Sequence, residues 1–174
     1  MMEKEIDRDI RKFVNVNKVA KEVKAQQWFA LYSKDSENNL LITRNFILNL
    51  NADQFWKIQC KLECKKLGVW FWMNKGDLVE GDLVTDEEVE DYFRMVNNSA
   101  LTIIEYTDLA LSNLILYDAD GSYVGVRGSY IEMLNGRIDL YQINSDSALV
   151  AAGVHVIHPV REIESNYLAS LILD

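Results

Sequence analysis

Short apolar runs of strand length, divided by polar turns, recur from residue 28 to residue 157 and limit what this chain can fold into. Trp28-Phe29-Ala30-Leu31-Tyr32 and Leu40-Leu41-Ile42-Thr43 flank the polar stretch Lys34 to Asn39, as two strands joined by a turn would. Gly68-Val69-Trp70-Phe71-Trp72-Met73 is a continuous apolar run, the pattern of a central strand. Leu101 to Tyr106 reads as a further strand, and Asn113–Tyr117 and Tyr123–Arg127 flank the turn Asp118-Ala119-Asp120-Gly121. Ile131–Leu134 and Arg137–Ile143 flank Asn135-Gly136, a strong hairpin signal. Ala148–Ala152 fits a short helix or strand, and Val154–Ile157 is a strand stopped by Pro159.

Four segments carry helical spacing instead. From Glu3 to about Ala25, Ile6, Ile10, Phe13, Val14, Val19 and Val23 recur on one face, with a weak point at Asn15-Val16-Asn17. Asn51 opens a second helix to Lys66, with Gln54 in the capping-box position and Phe55, Ile58 and Leu62 inward, joined at the margin by Trp56. Leu67-Gly68 would end it. Thr85 and Glu88 form the same box at the start of a third helix to about Asn97, with Val89, Tyr92, Phe93 and Val96 inward. Arg161–Leu173 is the closing helix. Strands clustered together with helices at both ends predict an α+β fold: one domain over residues 1–174, mainly antiparallel sheet, with an N-terminal, two internal and a C-terminal helix. Residues 1–25 could stand apart as a helical appendage. The single proline provides no proline-rich linker to divide the 174 residues.

Charge is distributed unevenly. Asp77, Glu80, Asp82, Asp86, Glu87, Glu88, Glu90 and Asp91 place eight acids in fifteen residues with no basic side chain among them. The chain carries 18 basic and 27 acidic groups, a formal charge of −9, so these eight account for nearly all of the imbalance. Asp86, Glu87 and Glu88 fall in a helix first turn, where the dipole stabilises carboxylates by roughly 0.3–1 kcal/mol each. Asp77, Glu80 and Asp82 have no such local reason. They lie in a small repeat, Gly76-Asp77-Leu78-Val79 and Gly81-Asp82-Leu83-Val84, whose period of five suits neither helix nor strand and reads as turn chemistry. A second echo, Gly121-Ser122-Tyr123-Val124 and Gly128-Ser129-Tyr130-Ile131, is also too short for an architectural repeat. Nucleic-acid binding usually needs a net basic domain, which argues against that partner. No apolar run approaches the roughly 18 residues of a membrane span, and the charged start Met1-Met2-Glu3-Lys4-Glu5 lacks a secretory pattern, so the expectation is a cytoplasmic protein with no membrane contact.

Chemistry-bearing motifs are few. His155 and His158 are the only histidines; in a strand they point to opposite faces, which disfavours a shared metal. Asp118 or Asp120 would be the carboxylate partner if either acts. Asp118-x-Asp120-Gly121 begins like a calcium loop, but Tyr123 stands where glycine is needed and Ser129 where glutamate is needed. Cys60 and Cys64 share a helix face as small hydrophobes. No cofactor, phosphate-loop or nucleophile-elbow motif is present. Trp70 and Trp72 alternate on one strand and share a face, either in the core or as anchors for a partner.

Three functions follow as expectations, with the enzyme reading second. The first is a non-enzymatic protein-binding module of inhibitor, immunity or regulatory type. It would present Asp77, Glu80, Asp82, Asp86, Glu87, Glu88, Glu90 and Asp91, with Trp70 and Trp72, to a basic protein surface. The second is a small hydrolase or metal-dependent enzyme using His155 or His158 with Asp118 or Asp120. The third is a structural or assembly subunit, a homo-oligomer in which the basic N-terminal helix of one copy meets the acidic segment of another.

Overall fold

The structure, a computed structural model, describes residues 8–98, 100–136, 139–144 and 149–160. The closing helix expected over 161–173 and the start of the N-terminal helix lie outside these residues.

Eleven antiparallel strands form one sheet in these residues, with four α-helices on its faces. A 3-10 helix, Arg8–Phe13, leads into α1 (Val16–Ala25). The break between them falls at Asn15, whose side chain accepts the Lys18 N–H and caps α1. The strands are β1 (Trp28–Asp35), β2 (Asn38–Thr43), β3 (Phe46–Leu50), β4 (Val69–Asn74), β5 (Asp77–Leu83), β6 (Leu101–Leu111), β7 (Leu114–Ala119), β8 (Ser122–Arg127), β9 (Leu140–Ile143), β10 (Val150–Ala152) and β11 (His155–Ile157). Helix α2 (Ala52–Lys61) lies between β3 and β4, α3 (Asp86–Asn98) between β5 and β6, and α4 (Gly128–Met133) between β8 and β9. The strand order is β5-β4-β1-β2-β3-β11-β10-β9-β6-β7-β8.

That order contains a duplication. From Val16 the chain runs helix, three strands, helix, two strands, and from Asp86 it does so again. The first unit lays its strands down as β5-β4-β1-β2-β3, the second as β10-β9-β6-β7-β8, which is the same arrangement. Strand β11 fits between the two and joins β3 to β10.

Alternation along the strands sorts side chains to two cores. Phe29, Leu31, Leu41, Leu48 and Leu50 pack with α1, α2 and α4, where α1 contributes Val19, Ala20 and Val23. The segment that could have stood apart is thus part of the main core from Val14 onward. Ala30, Leu40 and Ile42 face the other way and meet Val89, Tyr92 and Val96 of α3, together with Ala151 and Val156. Strand β2 is buried along its whole length. Strand β4, expected to be central, is second from the edge.

Several local expectations change. The Gly-Asp-Leu-Val repeat is not turn chemistry throughout: Asp77–Leu83 is a seven-residue edge strand, and only Gly76 (φ +88) serves the β4–β5 turn. Phe46–Leu50 is a strand that the sequence reading lacked. Helix α2 has the expected reciprocal Asn51–Gln54 box but ends at Lys61 rather than near Leu67, and Trp56 is 62% exposed. Ile131–Leu134 is not a strand. Asn135-Gly136 stops α4 instead of turning a hairpin: both residues have positive φ (54 and 77), and the Gly136 N–H returns to the Ile131 carbonyl at 3.1 Å. The β7–β8 hairpin does form at Asp120-Gly121, each with positive φ.

Nothing lies within 4 Å of a Cβ built on Gly136, so a side chain there meets only backbone strain. Gly136→Ala should therefore cost about 1 kcal/mol in a denaturant titration. An unchanged midpoint would contradict this account of how α4 ends.

Candidate functional site

The edge hairpin β4–β5 is irregular at one point. Phe71 pairs with Glu80 and Val69 pairs with Leu83, leaving the single residue Trp70 opposite both Gly81 and Asp82. This is a β-bulge, which bends the strand and re-aims its side chains. Here it brings Asp82 onto the face that carries Trp70, where Asp82, Gly81, Trp70, Trp28 and Arg44 line an open cavity of about 320 Å³.

Trp28 and Arg44 are the members that sequence reasoning missed. The partner of Trp28 across the β1–β4 ladder is Trp72, and the two rings stack with centroids 5.8 Å apart. Ala30 pairs with Trp70 on the same ladder, so all three tryptophans share the face that α3 covers further along the sheet. Gly81 makes their packing fit. A Cβ built there stands 3.2 Å from the Trp28 ring and 3.3 Å from the Trp70 carbonyl oxygen, tight enough that the neighbours must give by a few tenths of an ångström. The glycine thus serves close approach of an aromatic ring, not a turn. Trp70 is half-buried; Trp72, at 36% exposure, and Val79 opposite it form the outer part of the aromatic surface.

The eight acids divide by what they touch. Glu88 closes the capping box of α3: its Oε2 accepts the Thr85 N–H, and the Thr85 hydroxyl accepts the Glu88 N–H, both at 3.2 Å. The same Oε2 accepts a long bond from the Trp70 indole N–H at 3.4 Å, tying helix to tryptophan. Glu80 lies opposite Phe71, on the other face, and binds Lys66 at 2.6 Å. Asp91 pairs with Arg94 at 3.1 Å. Asp77, Asp82, Asp86, Glu87 and Glu90 are exposed and form no ion pair among the described residues. Arg44, in the β2–β3 turn, is likewise exposed without an ion pair among them.

The histidines and hairpin aspartates are not brought together. His155 is fully buried in β11, where Nδ1 accepts the Asn49 N–H at 3.1 Å and Nε2 has no hydrogen-bond partner among the described residues. Burial, and then the Arg11 guanidinium nearby, lower its pKa to about 3, so it is neutral at ordinary pH. His158 is exposed, and its backbone N–H donates to Asn45. Asp118 accepts the Gly121 N–H within its own hairpin at 2.9 Å, and Asp120 is exposed at the turn. Among the described residues neither histidine stands within ion-pair distance of a carboxylate, and no three His, Cys, Asp or Glu side chains gather as a metal site. Cys60 is exposed and Cys64 buried, with burial pushing the Cys64 thiol pKa up. No helix among the described residues is long and apolar enough to cross a membrane. No protein-family model, curated protein or solved structure matches the chain.

Two outcomes test this geometry. Gly81→Ala should displace the Trp28 ring and cost on the order of 1 kcal/mol, with a change in tryptophan fluorescence; an unchanged spectrum and stability would contradict the close approach. His155 titrates near 6.5 when unfolded and near 3 when folded, so the unfolded chain holds the extra proton between these values. The contribution of neutral His155 is full above pH 6.5 and is lost as pH falls toward 3, by at most about 1.4 kcal/mol per pH unit. In His155→Gln, whose amide oxygen can accept the Asn49 N–H, this slope should be absent; parallel stability curves for the two chains would contradict the assignment.

Proposed function

We propose that this protein is a non-enzymatic binding module that docks a basic surface of another protein at the β4–β5 end of the sheet. The observation that carries the reading is the bulge at Gly81–Asp82, which points toward a cavity walled by Trp28 and Trp70 a carboxylate that has no ion pair among the described residues. Aromatic walls beside a carboxylate suit a lysine or arginine side chain, which gains from both the ring faces and the charge. Trp72 and Val79 extend the apolar contact, and aromatic anchors of this kind dominate many interfaces energetically. Asp77, Asp86, Glu87 and Glu90 form a charged rim that speeds encounter and selects the sign of the partner. Arg44, on the cavity wall, suits a backbone carbonyl oxygen of the same partner. Inhibitors, immunity proteins and regulators that occupy basic sites work through surfaces of this chemistry.

Glu88 and Glu80 are poor choices for testing the site, because one caps α3 and the other binds Lys66. The better variant combines Asp77→Asn, Asp82→Asn, Asp86→Asn and Glu87→Gln. Calorimetric titration with a lysine-rich peptide at low salt should give roughly ten-fold weaker binding for this variant. Added salt should weaken the native chain more than the variant. Equal affinities for two folded chains would sink the proposal.

A further inference from the structure

Joining the two units through β11 leaves the sheet two outer edges, β5 and β8. They are treated differently. Val160 closes on β8: Gly125 N–H donates to the Val160 carbonyl and Val160 N–H to the Gly125 carbonyl, both at 2.8 Å. Among the described residues strand β5 has no such cover. It pairs with β4 alone, and six of its seven residues are exposed. No backbone bond from residues 77–83 to anything but β4 occurs among the described residues. An edge of this length, with its outer N–H and C=O groups unpaired, is a template for another strand.

We infer that β5 receives an extended, basic segment of the partner protein as a twelfth strand, an inference that rests on the docking role proposed above. The charge selects this occupant over a second copy of the chain. Antiparallel self-pairing would bring Asp77 and Asp82 of both copies, together with the Lys66-bound Glu80, onto one seam, and like charges opposite one another destabilise a pair. A basic strand instead sets lysine or arginine residues opposite those of β5, with Cβ atoms about 4.5–5.5 Å apart. Along such a strand, side chains on the tryptophan face lie beside Val79 and the Gly81–Asp82 bulge, and those on the other face lie beside Glu80. Main-chain bonds then supply affinity, and the alternating positions supply selectivity. The acids exclude self-association and admit a cation-bearing strand, which is more than an edge guard alone would do.

The test uses the full chain with two peptides of the same alternating lysine–valine sequence, one with free amides and one methylated at every backbone nitrogen. The methylated backbone has no N–H on either edge and cannot complete a ladder. The peptide with free amides should bind roughly ten-fold more tightly and slow amide exchange across residues 77–83, while the amides of β8 keep their rates. Equal affinities with unchanged exchange at 77–83 would overturn strand addition and leave acidic docking standing. Binding of neither peptide at low salt would overturn both, the acids then being edge protection only. Concentration-dependent self-association that slows exchange at 77–83 without peptide would overturn the choice of occupant.

Discussion

Everything else in this structure depends on a three-residue strand. β11 pairs with β3 on one side and β10 on the other, and so turns two five-stranded units into one sheet. Two side-chain bonds hold it. The Tyr92 hydroxyl of α3 donates to the Val154 carbonyl beside β11, and the ring of His155 accepts the N–H of Asn49 in β3. Helix α3 reinforces the join by packing on Leu40 and Ile42 from the first unit and on Ile143, Ala151 and Val156 from the rest. With β3 and β10 consumed, the outer edges are β8, which Val160 meets at Gly125, and β5, which meets no other strand than β4 among the described residues.

The proposed site lies on that edge because of two small local departures from regular sheet. Two residues opposite one turn Asp82 onto the aromatic face, and the absence of a Cβ at Gly81 lets Trp28 lie against β5. Neither departure alone makes a site. Without the bulge the carboxylate would follow the alternation away from the tryptophans; with any other residue at 81 the ring would have to move. The salt bridge of Glu80 to Lys66 and the capping role of Glu88 show how a charge run separates into structural and uncommitted members once its partners are known.

Legibility in the sequence followed the range of the forces involved. The Asn51–Gln54 and Thr85–Glu88 caps and the Asp120-Gly121 turn are made by neighbours in the chain, and they appear where local reasoning puts them. The antiparallel α+β class was legible for the same reason. Asn135-Gly136 misled because a left-handed pair can end a helix as readily as turn a hairpin, and only the packing of Ile131 and Met133 decides between them. Strand β5 carried no apolar alternation because nearly all of it faces solvent. Trp28 could not be linked to Trp72 without the β1–β4 register. The duplicated topology repeats connectivity rather than residues, so the five- and seven-residue echoes gave no hint of it.

The four tryptophans allow the central claim to be tested within one molecule. Three of them surround the bulge, while Trp56 stands 62% exposed on α2 and takes no part in the aromatic cluster. Nuclear magnetic resonance of the indole N–H groups, followed while a lysine-rich peptide is added at low salt, reports each ring separately. The account predicts saturable shifts at Trp28, Trp70 and Trp72 with Trp56 unmoved. Shifts confined to Trp56, or none at saturating peptide, would contradict it.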